Sequence, residues 1–312
     1  MSVFPVFKMS TATCLTAAVF FLTGTTISLA DWRKDLGVFR IGIIESEALK
    51  LSPGELDRVR SGYADALSMP VEIIRARDFP ALIDAQASAR IEYAIFSAAA
   101  YSTAYLICEC IEPLVQPIAE DASNGTRTVL LLDENVAASQ VSKSKGIAVP
   151  GRNSLNGYGV PLASENVVSG KLKGDEAWLT FVRDTNTAVQ YYADGKVDGY
   201  FATVSGNATL ATALETNAPL TSAIAASGRK TKAVWISGTI ANGPHTVRKN
   251  LAEEAKGLLS KYLRNLAETD PDLNDILLPA NDARFASVNH SAYSTALAAT
   301  KMLAAHSEQP AQ

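Results

Sequence analysis

The sequence predicts an α/β protein built as two lobes, each a sheet flanked by helices, with two segments crossing between them. Three observations carry that expectation. Short apolar runs of strand length alternate with stretches of helical periodicity, the pattern of parallel strands joined through helices. The run KVDGYFAT from Lys196 echoes RIEYAIFS from Arg90 position for position, and each follows an amphipathic helix. A chain of 312 residues, 47% of them hydrophobic, also suits two cores better than one.

The first thirty residues read as a targeting segment. Lys8 precedes the apolar run LTAAVFFLTGTTISLA, and Ser28-Leu29-Ala30 offers a cleavage site before Asp31. The run is too short and polar-flecked for a membrane anchor, so residues 1–30 are expected to be a signal peptide that leaves no membrane insertion behind. Cys14 would leave with it, and a periplasmic product would retain Cys108 and Cys110. Without Lys8 the balance is 27 basic to 32 acidic residues, a net charge of −5. That mild acidity provides no nucleic-acid footprint.

Each element has a local reason. FRIGII (Phe39 to Ile44) is a buried-strand run, and SPGEL then starts a helix with Ser52 as N-cap, Pro53 in the first turn and Glu55 closing a capping box. Leu56, Val59, Tyr63 and Leu67 hold one helical face. PVEIIRA is the next strand, Asp78 caps a helix through Phe79, Leu82 and Ile83, and IEYAIF is a strand ending at Ser97. Later, GIAVP is a strand, TAVQYYADG a helix stopped by Gly195, and KVDGYFAT a strand. TRTVLLLDE and KAVWISG are expected as the outward and return crossings. The helix LAEEAKGLLSKYLRNLAE, apolar along Leu251, Leu258, Leu259, Leu263 and Leu266, then returns to the first lobe. The expected division is 31–126 for the first part of lobe one, 127–232 for lobe two with the outward crossing, and 233–312 for the return crossing and the rest of lobe one.

Ligands of open α/β sheets bind beyond the carboxyl ends of strands, where helix N-termini present free amides. Two stretches fit: Ser97-Ala98-Ala99-Ala100-Tyr101, and Asn153-Ser154-Leu155-Asn156-Gly157-Tyr158. Ordinary helix capping explains any single Ser or Asn among these at least as well. Asp184-Thr185-Asn186-Thr187 reads as a further helix start facing the cleft, with plain capping as the equal alternative.

ARDFPALIDA, EYAIFSAAAY, VPGRNSLNGYGVP, GKVDGYF and IANGPHTVRKNL together resemble the periplasmic solute-binding proteins of phosphonate, phosphite and phosphate uptake, over nearly the whole mature chain. The resemblance implies a type II two-lobed periplasmic binding protein with a ligand cleft between the lobes. It implies that Ser154, Gly157 and Tyr158 belong to the family's Asn-Ser-Thr-Ser-Gly-aromatic motif. In phosphonate binders a His is expected near Thr185, acidic residues near Ser205 and Gly243, and tyrosines near Phe79 and Phe96, while Leu155 and Asn156 stand in place of Thr and Ser. A hydrated dianion needs several oriented donors. Arg127 is the nearest candidate counter-charge, with a solvated or structural role as its alternative.

A cleft short of anion-binding groups, beside the thiol pair of LICECIEP, suggests an uncharged, soft ligand. Arsenite fits, being a neutral trihydroxide whose arsenic prefers thiolate sulfur. In an extended segment, Cys108 and Cys110 would face the same side; Pro113 and CIEPLVQPI favour that conformation. The sequence here is similar to a narrower group, the periplasmic arsenite-binding proteins that partner a sensor kinase controlling arsenite oxidation. That resemblance implies arsenite as ligand, no cofactor, and the periplasmic domain of a sensor histidine kinase as partner. An ABC permease and a phosphorus oxyanion are the alternative partners. Three plainer readings of the pair stay open: a disulfide across one residue, two buried inert thiols, or one ligating thiol completed by oxygens. If the helix from Ala98 runs to about Leu106, its rise carries the thiols roughly 12 Å from the cleft end of the preceding strand.

His245, His290 and His306 show no metal-ligand spacing, and His245 after Pro244 is expected in the return crossing. Trp178 and Trp235 sit in apolar runs and read as core. Neither a G-x-S-x-G elbow, nor a phosphate loop, nor H-E-x-x-H is present, so no enzyme is expected.

Overall fold

The computed structural model describes residues 1–2, 31–44, 51–168, 170–215, 222, 224–225, 228–278 and 282–307. The expected targeting segment lies almost wholly outside them. The order from Trp32 is α1 (Trp32–Leu36), β1 (Phe39–Ile44), α2 (Pro53–Leu67), β2 (Val71–Ala76), α3 (Phe79–Ala87), β3 (Tyr93–Ile95), α4 (Ala98–Cys108) and β4 (Ile111–Ala119). Next come β5 (Gly125–Asp133), β6 (Ile147–Pro150), a π-helical turn (Leu155–Gly159), α5 (Val160–Ala163), β7 (Leu179–Val182), α6 (Thr185–Ala193) and β8 (Gly199–Ser205). The chain then forms β9 (Thr231–Ile236), β10 (Ile240–Ala241), β11 (His245–Arg248), α7 (Glu253–Thr269), α8 (Pro271–Leu277), β12 (Asp282–Ser287) and α9 (Ser294–Ser307).

Local chemistry sets the helix starts. The Ser52 hydroxyl accepts the Glu55 amide at 3.3 Å while the Glu55 carboxylate accepts the Ser52 amide at 2.7 Å, so the capping box is complete. Asp78 and Asp184 cap α3 and α6 by accepting the amides of Ala81 and Thr187, each at 2.8 Å.

The first sheet runs β12-β4-β11-β3-β1-β2, and the second β10-β5-β8-β6-β7 with β9 also on β5. In the first, β1 pairs in parallel with β2 and β3, and β11 is antiparallel to β3. In the second, β6 pairs in parallel with β7 and β8, and β5 is antiparallel to β8. The two sheets thus share one plan, with β3 and β8 in equivalent places. The echo between RIEYAIFS and KVDGYFAT is therefore structural.

Helix α7 covers the first sheet with Leu259, Leu263 and Leu266, all fully buried beside Phe39, Ile41, Val59 and Tyr63. Each such leucine contributes about 2 kcal/mol of burial. The second sheet carries separate clusters around Val129, Leu131 and Tyr200 on one face and Leu130, Leu132 and Phe201 on the other.

Two expectations are corrected. TRTVLLLDE and KAVWISG are not crossings: they form β5 and β9, paired with each other inside the second sheet. The chain passes between sheets at residues 120–124 and 242–244, side by side, with the Asn242 amide donating to the Asn124 carbonyl at 2.9 Å. Nor does the C-terminal part belong to the first lobe alone. Helix α9 packs against α4 of the first and against α5 and the π-helical turn of the second. Met302 and Leu303 join the second sheet's core.

Candidate functional site

The carboxyl ends of β1, β2 and β3 and those of β6, β7 and β8 carry most of the residues singled out from sequence. On the first lobe Ser97 caps α4, its hydroxyl accepting the Ala100 amide at 3.1 Å. Phe79 opens α3 and is 37% exposed, whereas Phe96 is buried. Ala98 is half-buried against α9. Tyr101 lies in the core, its hydroxyl paired with His290 Nδ1 at 2.7 Å.

On the second lobe the hydroxyl of Ser154 accepts the Gly157 amide at 2.9 Å. Asn156 is tied to β5 twice: its Nδ2 donates to Thr126 Oγ1 at 3.1 Å, and its carbonyl accepts from Thr128 Oγ1 at 2.8 Å. Leu155 is half-buried. Tyr158 is buried, donating to the Gly174 carbonyl at 3.0 Å and packing edge-on against Phe181. Thr185 is the first residue of α6, behind an Asp184 whose carboxyl is held down at about 2 by the Thr187 amide, then by Arg183. Ser205 Oγ lies 3.1 Å from Ser123 Oγ.

Arg127 is half-buried and spends Nε on the Gly206 carbonyl at 2.9 Å and Nη1 on the Ser237 carbonyl at 3.3 Å. It forms no ion pair with a described carboxylate. The Ser97 and Ser154 hydroxyls each accept an amide of their own helix start, the Asn156 side-chain amide is tied to Thr126, and Arg127 is a candidate counter-charge at this end of the sheet.

The cysteines are arranged differently from the sequence expectation. Cys108 ends α4 and is helical, not extended. Glu109 then adopts a left-handed conformation, φ 48° and ψ 16°, and Cys110 leads into β4. This turn brings the sulfurs together, and they are joined as a disulfide with Cα atoms 5.0 Å apart. The reduced, extended pair is replaced here by the disulfide alternative. Convergence of the sulfurs comes from a left-handed residue, not from strand alternation.

Both cysteines are half-buried against the cluster of Ala104, Ile111 and Tyr105. The ring of His290 stacks on Tyr105 at 4.0 Å, and the Lys249 ammonium lies 5.0 Å above the same ring. The Lys249 amide donates to the Cys110 carbonyl at 2.8 Å. Burial, then the Lys249 charge, lowers the His290 pKa. Tyr105 and Lys249 carry no signal in the sequence, and they meet His290 only because β11 and β12 both pair with β4. Among the described residues, no group of three or more His, Cys, Asp or Glu side chains could hold a metal ion. With α4 running its full 11 residues, the sulfur pair lies roughly 16 Å from the Ser97 end of the helix.

His245 is likewise not in a crossing. It opens β11, is 1% exposed, and its Nδ1 pairs with the Tyr93 hydroxyl. Trp235 and Trp178 are partly buried against the second core, as expected of packing residues. No described helix is long and apolar enough to cross a membrane.

The family described as ABC transporter, phosphonate, periplasmic substrate-binding protein matches residues 63–293. Among solved structures, XAC2383 from Xanthomonas citri bound to chloride ion is similar at 14% identity and TM-score 0.57, covering 86% of this chain and 99% of that one. The same protein bound to ATP is similar at 14% identity and TM-score 0.57, over 88% and 100% of the two chains. PhnD1 from Prochlorococcus marinus in complex with methylphosphonate is similar at 15% identity and TM-score 0.51, over 86% and 98%. At these identities the likeness is one of fold. No curated protein sequence matches the chain.

Proposed function

The chain belongs to the periplasmic substrate-binding family of phosphonate ABC transporters, and from that premise we infer a binding protein that captures arsenite through Cys108 and Cys110. One observation carries the reading: the end of α4 and the turn at Glu109 hold the two sulfurs side by side, joined as a disulfide. A reduced pair so placed can chelate a single soft atom. Each As–S bond forms as a thiol proton leaves with an arsenic hydroxyl as water, so two thiols release two waters and one hydroxyl stays on arsenic. The disulfide must first take two electrons and two protons from a thiol reductant before it can bind.

A neutral trihydroxide also needs no anion cradle, consistent with the Asn156 side-chain amide being taken up by Thr126. Leu106 and Ile107, next to the pair, are 38% and 64% exposed. An apolar surface beside the loaded sulfurs suits a reporting role toward the periplasmic domain of a sensor histidine kinase, with no catalysis by the protein itself.

A second reading, delivery of a phosphorus oxyanion to an ABC permease, is favoured by Arg127 and its lack of a described carboxylate partner. Calorimetry on the mature protein, reduced with a phosphine, separates the two. Heat with arsenite alone, abolished in Cys108→Ser and after reoxidation, supports arsenic capture. Heat with phosphate, phosphite or methylphosphonate, lost in Arg127→Gln, overturns it in favour of uptake.

A further inference from the structure

Inside the first lobe, between its sheet and helices α2 and α8, lies a chamber of about 320 Å³. Ile43, Val59, Ile95, Ile276 and Leu277 form its apolar wall, and Phe96, Ser97, Asn242 and Gly243 line it at the carboxyl end of β3. That volume falls at the lower end of the range of small-molecule sites, which are mostly apolar with a few placed polar groups.

The polar groups are the informative part. His245 lines the chamber and is almost completely buried. Its Nδ1 is taken by the Tyr93 hydroxyl, which lies 2.9 Å from the Tyr63 hydroxyl. Nε2 has no partner among the described residues. Whichever way the protons run along Tyr63, Tyr93 and His245, Nε2 is left with one unmet bond, as donor in one tautomer and acceptor in the other. Asn242, at the crossing between sheets, spends Nδ2 on the Pro117 carbonyl at 3.0 Å, leaving Oδ1 without a described donor. Ser97 Oγ accepts the Ala100 amide and keeps a proton to give.

Donors and acceptors are therefore both on offer, and no ionised side chain is among the described lining residues. Burial lowers the His245 pKa to about 3, which keeps the ring neutral. His245 Nε2 and Asn242 Oδ1 have no partner among the described residues, and a ligand hydroxyl or carbonyl would supply one.

We propose that this chamber is a binding site for an uncharged, mainly apolar small molecule bearing a hydroxyl or carbonyl oxygen, anchored by His245 Nε2 and Asn242. The site is separate from the sulfur pair, which lies at the other end of α4, and its occupancy does not depend on arsenic capture.

The test is a ligand-detected NMR titration of the full mature chain with 2-heptanone and 1-heptanol, with heptane as the oxygen-free control. Saturable binding of the oxygenated probes is expected, weakened about tenfold in His245→Phe, roughly the loss of one buried hydrogen bond. Ile276→Trp, at a partly buried wall position, should fill the chamber and abolish binding. Because His245→Phe also removes the Tyr93 contact, its melting curve is recorded alongside; if it does not fold, Ile276→Trp decides alone. Absence of saturable binding, binding that survives Ile276→Trp, or heptane binding as tightly as the ketone would each overturn the proposal. Arsenite calorimetry on Ile276→Trp keeps the two sites distinguishable, since its heat should match that of the wild type.

Discussion

Glu109 holds the turn that brings the sulfurs together. A non-glycine residue at φ 48° is disfavoured by roughly 1–2 kcal/mol. The surrounding structure offsets that cost: α4 is packed on the sheet before it, and β4 is paired with β11 and β12 after it. Glu109→Gly should therefore keep arsenite affinity in the reduced protein, and raise stability toward urea by up to that amount less the entropy that glycine adds to the unfolded chain. Glu109→Val, β-branched at positive φ, should lower stability by about 1–2 kcal/mol and weaken arsenite binding, both read by urea melts and calorimetry. His245 makes a different statement. With a folded pKa lowered from 6.5 to about 3 by burial, its contribution is fully present above pH 6.5 and is lost as pH falls toward 3. The urea midpoint of the wild type should decline across that window, and the decline should be shallower in His245→Phe. Neither residue was legible in advance: a left-handed glutamate is imposed by what it connects, and a buried histidine tautomer chain needs Tyr63, Tyr93 and His245 from three separate elements.

Elements were legible where their cause is local. Ser52, Asp78 and Asp184 cap the helices their spacing predicted, because an N-cap and its amide partner lie three residues apart in sequence. The alternation of strands and helices was likewise readable, down to the equivalence of β3 and β8. The two crossings were not. TRTVLLLDE is an apolar run of strand length, and nothing in its composition separates a strand joining two lobes from one buried inside the second. Sheet order decides, and β5 is held on both sides, by β8 and by β9 with β10. The true crossings are only a few residues long and polar, so they carry little pattern to read. Gly243 marks one of them after the fact: an added Cβ would run into the Phe96 carbonyl oxygen, so the close approach of crossing and strand demands glycine there.

At the scale of the whole molecule, the candidate ligand positions divide between two places: the strand ends, with the first-lobe chamber lined by Phe96 and Ser97 adjoining them, and the sulfur pair at the far end of α4. Motif residues such as Ser154 and Asn156 were found in the sequence, but the ties of Asn156 to Thr126 and Thr128 depend on where β5 lies and could not be read from it. Helix α9 joins the halves, with Ala296 and Ala299 buried between α4 and α5 and Leu303 set in the second core. A chain ending at Tyr293 should therefore melt in two calorimetric transitions where the intact protein melts in one, with the second lobe unfolding first. A single unchanged transition would show that the helix does not couple them.

The close seating of α9 also limits how the protein can move. The Leu303 side chain rests so near Gly159 that a Cβ there would collide with it. Because this helix touches both halves, a shift of one against the other has to change its contacts with α4 or with α5 and the π-helical turn. A bulkier residue at position 159 would push the helix off the second half.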